Sequence, residues 1–267
     1  MTSNQARIMI WSPPRSLSTA FARSMSSRVD SKVFWEPYLN CCTYGPNRTL
    51  RWAEDIPGVM NEKYTFNYVN ELMGEPHPNS QVLFAKCMIE AIIDNFDVVR
   101  PDYQHTFLIR HPLKMYRSFQ KLSQGVLPID FKSAFKNIYQ ELNKFYDHVI
   151  NVFGQSVPPI IDADDLQENP EGIISKYCEM VGIPYTSNML KWESIKDPAI
   201  LNWEFIDVGV ISLNSYSTGL TLSGAFTSTG FGNGVKKTET DYSSDVKECA
   251  DYAMPAYERL HKLRIKV

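Results

Sequence analysis

Residues 7–25 read RIMIWSPPRSLSTAFARSM: an apolar run, two prolines, a hydroxyl-rich turn, then small and apolar residues at helical spacing. Ile8 to Trp11 are consecutive apolar residues, the pattern of a strand buried on both faces of a sheet. Pro13 and Pro14 stop that strand and fix its exit direction, while Ser16, Ser18 and Thr19 are residue types favoured where a helix begins. Such a turn aims free backbone N–H groups and the positive end of a helix dipole at one point, which makes an anion site. Arg15 at its centre adds a permanent charge and a forked donor set suited to phosphate or sulfate oxygens. Taken alone, the segment also reads as an ordinary capped helix with a surface arginine. It is not a kinase-type phosphate loop, because GxxxxGK followed by Ser or Thr is absent.

Outward from this segment, short runs rich in Ile, Val, Phe and Leu recur at 32–36, 82–86, 106–110 and 159–162. Helical patterns occupy 18–28, 113–122, 131–153, 170–181 and 244–263. Apolar strands alternating with helices predict an α/β fold, a parallel sheet flanked by helices. The stripe Phe131, Phe135, Ile138, Leu142, Phe145 and Val149 reads as core packing of one helix. Residues 1–267 are expected to form a single domain. Within it, 37–80, rich in Tyr, Asn, Pro and Trp, is expected to build part of an acceptor pocket. Residues 187–240, crowded with Ser, Thr and Gly from Ser212 to Gly234, are expected to supply a lid.

Composition narrows the function classes. The chain has 267 residues, 43% hydrophobic and 21% charged, and a net charge of −3, so it reads as a soluble globular protein with a core of ordinary size. A general nucleic-acid binder carries a basic excess, and none exists here, so any anion must be held locally. Five cysteines, without a CxxC pair or His at zinc spacing, argue against a disulfide framework and a structural metal, and fit a reducing compartment. No apolar run approaches a membrane span or a signal-peptide core, which predicts a cytoplasmic protein. The sequence does not indicate an oligomeric state.

A second anion element lies in residues 105–119, HTFLIRHPLKMYRSF. Arg110 closes a strand at the carboxyl end, where open parallel sheets bind ligands, and Ser118 sits two turns into the following helix. Two such elements on one sheet suggest a nucleotide with phosphates at two places. Here the chain resembles a known family. SPPRSLST is similar to the 5′-phosphosulfate loop of the sulfotransferases that use 3′-phosphoadenosine 5′-phosphosulfate (PAPS). RHPLKMYRS is similar to their 3′-phosphate motif, and residues 162–185, DADDLQENPEGIISKYCEMVGIPY, resemble their late strand and helix. The resemblance spans residues 6–186 in order. It implies a P-loop-like sulfotransferase fold, no required metal, and transfer of a sulfuryl group from PAPS to a hydroxyl or amine, leaving 3′-phosphoadenosine 5′-phosphate (PAP). It further implies that Arg15 binds the bridging oxygen and 5′-phosphate, that Ser16, Leu17, Ser18, Thr19 and Ala20 supply backbone or hydroxyl contacts, and that Arg110 and Ser118 grip the 3′-phosphate.

Two departures stand out. Leu17 occupies a position where many members have glycine, so the loop must tolerate a side chain there. Lys86 is followed two residues later by Met88, where the branch acting on phenols and steroids has its histidine base. An acceptor hydroxyl must lose a proton as it attacks, and Glu36, in VFWEPY at a strand end, is the candidate base, with Lys86 as a catalytic assistant and His105 as an outside alternative. A Glu36 paired with Arg15 or Arg23 in a purely structural role is the competing reading. Asp162, Asp164 and Asp165 read as helix caps rather than a cation site. In STGFGNGVKK (228–237), the glycines would let backbone approach a nucleotide, and Lys236 or Lys237 would reach a phosphate; a plain flexible loop is the alternative. Trp35, Tyr38, Tyr44, Trp52, Tyr64 and Phe66 favour a small-molecule acceptor, an aromatic or apolar alcohol. A catalytically inactive nucleotide-binding or scaffold protein with retained phosphate loops is the rival to an enzyme.

Overall fold

The computed structural model describes residues 5–46, 48–50, 60–125, 130–205, 223–232 and 242–267. Among the described residues five strands, β1 (Ala6–Ser12), β2 (Ser31–Trp35), β3 (Val82–Met88), β4 (Gln104–Ile109) and β5 (Ile160–Asp162), form one sheet in the order β2-β3-β1-β4-β5. Every pairing is parallel, as the alternation of apolar runs and helical patterns predicts. The described helices are α1 (Ser18–Ser26), α2 (Pro37–Tyr44), α3 (Phe66–Gly74), α4 (Pro112–Gly125), α5 (Phe131–Phe135), α6 (Ile138–Asn151), α7 (Ala163–Glu168), α8 (Pro170–Val181), α9 (Ser223–Phe226) and α10 (Ser244–Lys262). None of them is long and apolar enough to cross a membrane.

Continuous apolar strands arise because helices cover both faces. Met9 and Trp11 of β1 enter one core with Phe145 of α6 and Ala253 of α10, whereas Ile8 and Ile10 enter the other with Phe21 of α1 and Tyr177 of α8. Alternate side chains on a strand point to opposite faces, so one uninterrupted run serves two cores. Trp11 meets Phe145 edge-on at 4.7 Å, a geometry that adds about 0.5–1.5 kcal/mol beyond area burial. Each edge strand has a backbone partner: Glu204 exchanges backbone hydrogen bonds with Val33 and Trp35 along β2, and Ile265 N–H donates to Ile160 on β5.

One expectation for the helices differs from the structure. The apolar stripe over 131–153 belongs to two helices, with a break at Lys136 and Asn137. The Tyr116 hydroxyl lies within hydrogen-bond distance of the carbonyls of Phe135 (2.9 Å) and Lys136 (3.2 Å) and competes for acceptors that a continuous helix would use. The segment 37–80, read as a pocket-building stretch, contains α2 and α3, and Tyr38, Tyr44 and Tyr64 are buried in the first core. At the end of β5, Asp162 accepts from the N–H groups of Asp164 and Asp165, the capping role expected of it.

Candidate active site

β1 ends at Ser12, and the chain reaches α1 through a turn in which Arg15 (φ 62°) and Leu17 (φ 67°) both occupy the left-handed region. Ser16 between them does not. Alternation of this kind curls the main chain so that successive N–H groups face one concave side, a geometry that binds anions. The cap of α1 is Leu17, with no side-chain hydrogen bond, so the serines do not close the helix as their type suggests. The conformation also explains Leu17: it holds a backbone state that glycine adopts freely and that costs another residue about 1–2 kcal/mol. Its side chain is partly buried against the second core.

Arg110 follows β4 directly. Its Nη1 donates to the Arg15 carbonyl (2.7 Å), and Arg15 Nε donates to Ser118 Oγ on α4 (3.1 Å), so the two loops are tied to each other. Burial lowers the pKa of both guanidinium groups, and the charge of Arg110 lowers Arg15 further. Among the described residues neither arginine forms an ion pair. Arg110 Nε and Ser16 Oγ are buried without a hydrogen-bond partner. Two half-buried cations, Arg110 with Asp164 and Asp162 as its nearby acidic influences, sit beside orphaned polar atoms that an added anion would satisfy.

Across the cleft, β2 delivers Glu36, also left-handed (φ 48°), as the cap of α2, with Pro37 at the first helical position. Glu36 N–H donates to the Lys86 carbonyl (2.8 Å), and the Lys86 ammonium donates to Glu36 Oε1. The partner of Glu36 is therefore Lys86, not Arg15 or Arg23; Arg23 Nη2 donates instead to the Glu193 carbonyl. Lys86 is 3% exposed and Glu36 14%, so the carboxylate keeps access to the cleft. Lys86 Nζ lies 4.6 Å from the Trp35 ring centroid, a cation–π contact, and 3.1 Å from Met88 Sδ.

Residues 15–20, Glu36, Lys86, Arg110 and Ser118 line a single cleft of about 390 Å³. His105 is absent from it. That side chain is fully buried, accepts at Nδ1 from Trp11 Nε1 (3.1 Å), and has its pKa lowered by burial to about 4, so it is a core residue. Of the aromatic residues proposed for an acceptor pocket, Trp35 lines the cleft; Tyr38, Tyr44, Tyr64 and Phe66 do not, and Trp52 lies outside the described residues. From the expected lid, Gly224, Ser228, Gly230 and Phe231 are on the wall; 206–222 and 233–241, including Lys236 and Lys237, lie outside the described residues. Met88, Phe119 and Leu122 complete an apolar side that sequence reasoning missed. Leu122 lies four residues beyond Ser118 and three beyond Phe119, a spacing that could have placed it beside both on α4. Among the described residues no cluster of His, Cys, Asp or Glu is arranged to hold a metal ion, and all five cysteines are free and buried.

The family profile described as "Sulfotransferase domain" matches residues 6–205, and the chain belongs to that family. Branched-chain-amino-acid aminotransferase-like protein 2 of Arabidopsis thaliana is 27% identical over 188 residues, 70% of this chain and 32% of that protein. Branched-chain-amino-acid aminotransferase-like protein 1 of the same plant is 27% identical over 192 residues, 69% of this chain and 31% of that protein. The chain thus spans about a third of the length of these curated relatives. Among solved structures, a sulfotransferase domain from the curacin biosynthetic pathway is 12% identical with a TM-score of 0.48, over 94% of this chain and 98% of that one. A sulfotransferase from Alicyclobacillus acidocaldarius is 10% identical with a TM-score of 0.47, over 73% of this chain and 88% of that one.

Proposed function

We propose that this chain transfers the sulfuryl group of PAPS to a hydroxyl or amine of a small, apolar or ring-bearing acceptor. The observation that carries the reading is the convergence of both anion loops, Glu36 and Lys86 on one cleft. The residues present fit the donor: two guanidinium groups with no ion pair among the described residues, and the orphaned Ser16 Oγ and Arg110 Nε, are what a nucleotide with phosphates at two places would satisfy. PAPS supplies the sulfuryl group and a bisphosphate leaving group. In this reading the left-handed turn and the start of α1 receive the 5′ end, Arg15 neutralises the oxygen that departs from sulfur, and Arg110 and Ser118 hold the 3′-phosphate. Glu36 takes the proton from the acceptor as its oxygen or nitrogen bonds to sulfur and the bond from sulfur to the phosphate oxygen breaks. Trp35, Met88, Phe119, Leu122 and Phe231 give the acceptor side its apolar character. We place this activity in a reducing, cytoplasmic setting, in keeping with the buried free thiols.

The test has two stages. Calorimetry compares PAP with ATP plus magnesium, and tighter binding of PAP is expected; a preference for ATP overturns the reading. Transfer of labelled sulfate from PAPS to a screen of phenols, alcohols and amines is then followed by mass. Glu36→Gln is expected to lower turnover at least ~10²-fold with PAP affinity retained. Unchanged turnover in that variant removes Glu36 as the base, and binding without transfer to any acceptor favours the scaffold alternative.

A further inference from the structure

We infer that Tyr139, on α6, is a positioning residue that fixes Arg110 for its grip on the 3′-phosphate, braced by Tyr257 and Asp162; the inference rests on the PAPS reading above. Arg110 sits at the junction of β4 and α4, where Pro112 occupies the first helical position. Its guanidinium is anchored at Nη1 to the Arg15 carbonyl, with Nε left without a partner. Its own carbonyl is held from behind by the Tyr139 hydroxyl, which donates to it. Tyr139 is fully buried, and burial raises its pKa well above the usual phenol value, so the hydroxyl keeps its proton and serves as a fixed donor.

Tyr139 is itself supported. The Tyr257 ring on α10 meets it edge-on, 6.1 Å between centroids at 85°. Tyr257 Oη donates to Asp162 Oδ2 at 2.9 Å, and Asp162 Oδ1 accepts from the Asp164 N–H at 2.8 Å. These contacts run from the carboxyl end of β5, through α10 and α6, to the carboxyl end of β4. A side chain that binds a doubly charged phosphate must be aimed by its backbone, and rotation of the Arg110 peptide would swing the guanidinium off target. Neither tyrosine lines the cleft, and Tyr257 lies beyond residue 205, where the family match ends.

Tyr139→Phe keeps the ring and removes the donor. Calorimetry with PAP and with adenosine 5′-monophosphate, which lacks the 3′-phosphate, is expected to show PAP binding about tenfold weaker, the worth of one hydrogen bond, and monophosphate binding unchanged. Turnover at saturating PAPS is expected to stay as in the wild type while the KM for PAPS rises. In the Arg110→Ala background, adding Tyr139→Phe is expected to cause no further loss for PAP, because the tyrosine acts through the arginine. Tyr257→Phe is expected to show the same PAP-selective loss, smaller in size, and decides the matter if Tyr139→Phe does not fold. Equal losses for both nucleotides, additive losses in the double variant, or unchanged PAP affinity overturn the inference. A wild-type protein that binds the monophosphate as tightly as PAP overturns the 3′-phosphate reading and this inference with it. Discrimination in the wild type that both tyrosine variants leave intact overturns the inference alone.

Discussion

Arg15 and Arg110 are like charges tied by one hydrogen bond, from the Arg110 guanidinium to the Arg15 carbonyl, and their division of labour can be measured. In the proposed PAPS reaction Arg15 would face the bond that breaks, and its charge would matter most in the transition state. Arg15→Ala is expected to lower turnover about 10²-fold with a change in PAP affinity of less than about fivefold. Arg110→Ala is expected to weaken PAP binding by about 10–100-fold, the loss of charge-assisted hydrogen bonds to the phosphate, with a smaller effect on turnover. Steady-state kinetics beside PAP calorimetry checks both, and equal losses in turnover and affinity for Arg15→Ala contradict its role. At this scale the chemistry-bearing residue types were readable, because a charge in a proline-bounded turn is a local signal. What was not readable is their pairing. Glu36 with Lys86 depends on register between β2 and β3, where Trp35 opposes Lys86, and Arg15 with Ser118 joins positions 103 residues apart.

Among the elements, the five strands were legible because each is an apolar run bounded by turn residues. The helices were legible where caps are local: Asn169 and Pro170 open α8, and Gly182, at φ 71°, closes it. The break between α5 and α6 was invisible, since the apolar stripe crosses it unchanged and its cause is the hydroxyl of a residue on α4. Residues 89–92, the 3-10 turn after β3, carry another feature hidden from periodicity. Glu90 there is 4% exposed, its Oε2 has no partner, and burial raises its pKa from the ordinary carboxyl value to about 8. A carboxyl whose folded pKa is raised binds more protons folded than unfolded, so stability is full below about 4.5 and is lost as pH climbs towards 8. Glu90→Gln, which keeps a neutral side chain at every pH, is expected to raise the melting temperature more at pH 8 than at pH 5, by about 5–10 °C. Thermal melts at the two pH values decide it, and equal shifts at both would show that the buried carboxyl is not the cause.

Taken whole, the protein joins its cleft to two cores through one sheet, so a ligand that binds only the folded cleft would raise global stability. PAP at a hundred times its dissociation constant stabilises a protein that binds it only when folded by about 2.7 kcal/mol, expected as a rise of roughly 5–10 °C in melting temperature. Scanning calorimetry with and without PAP tests this, and no shift at saturation would mean that the folded state does not bind it. The sheet order has a consequence for how the chain comes into being. β1 is the middle strand, yet Ala6 pairs with Val82 and Ile8 with Gln104. At about 5–20 residues per second on a ribosome, the first strand emerges roughly 4–15 s before its first neighbour exists. During that interval Ile8 to Trp11 lack their sheet partners, and the nascent β1 would depend on transient shielding of its apolar side chains until β3 arrives.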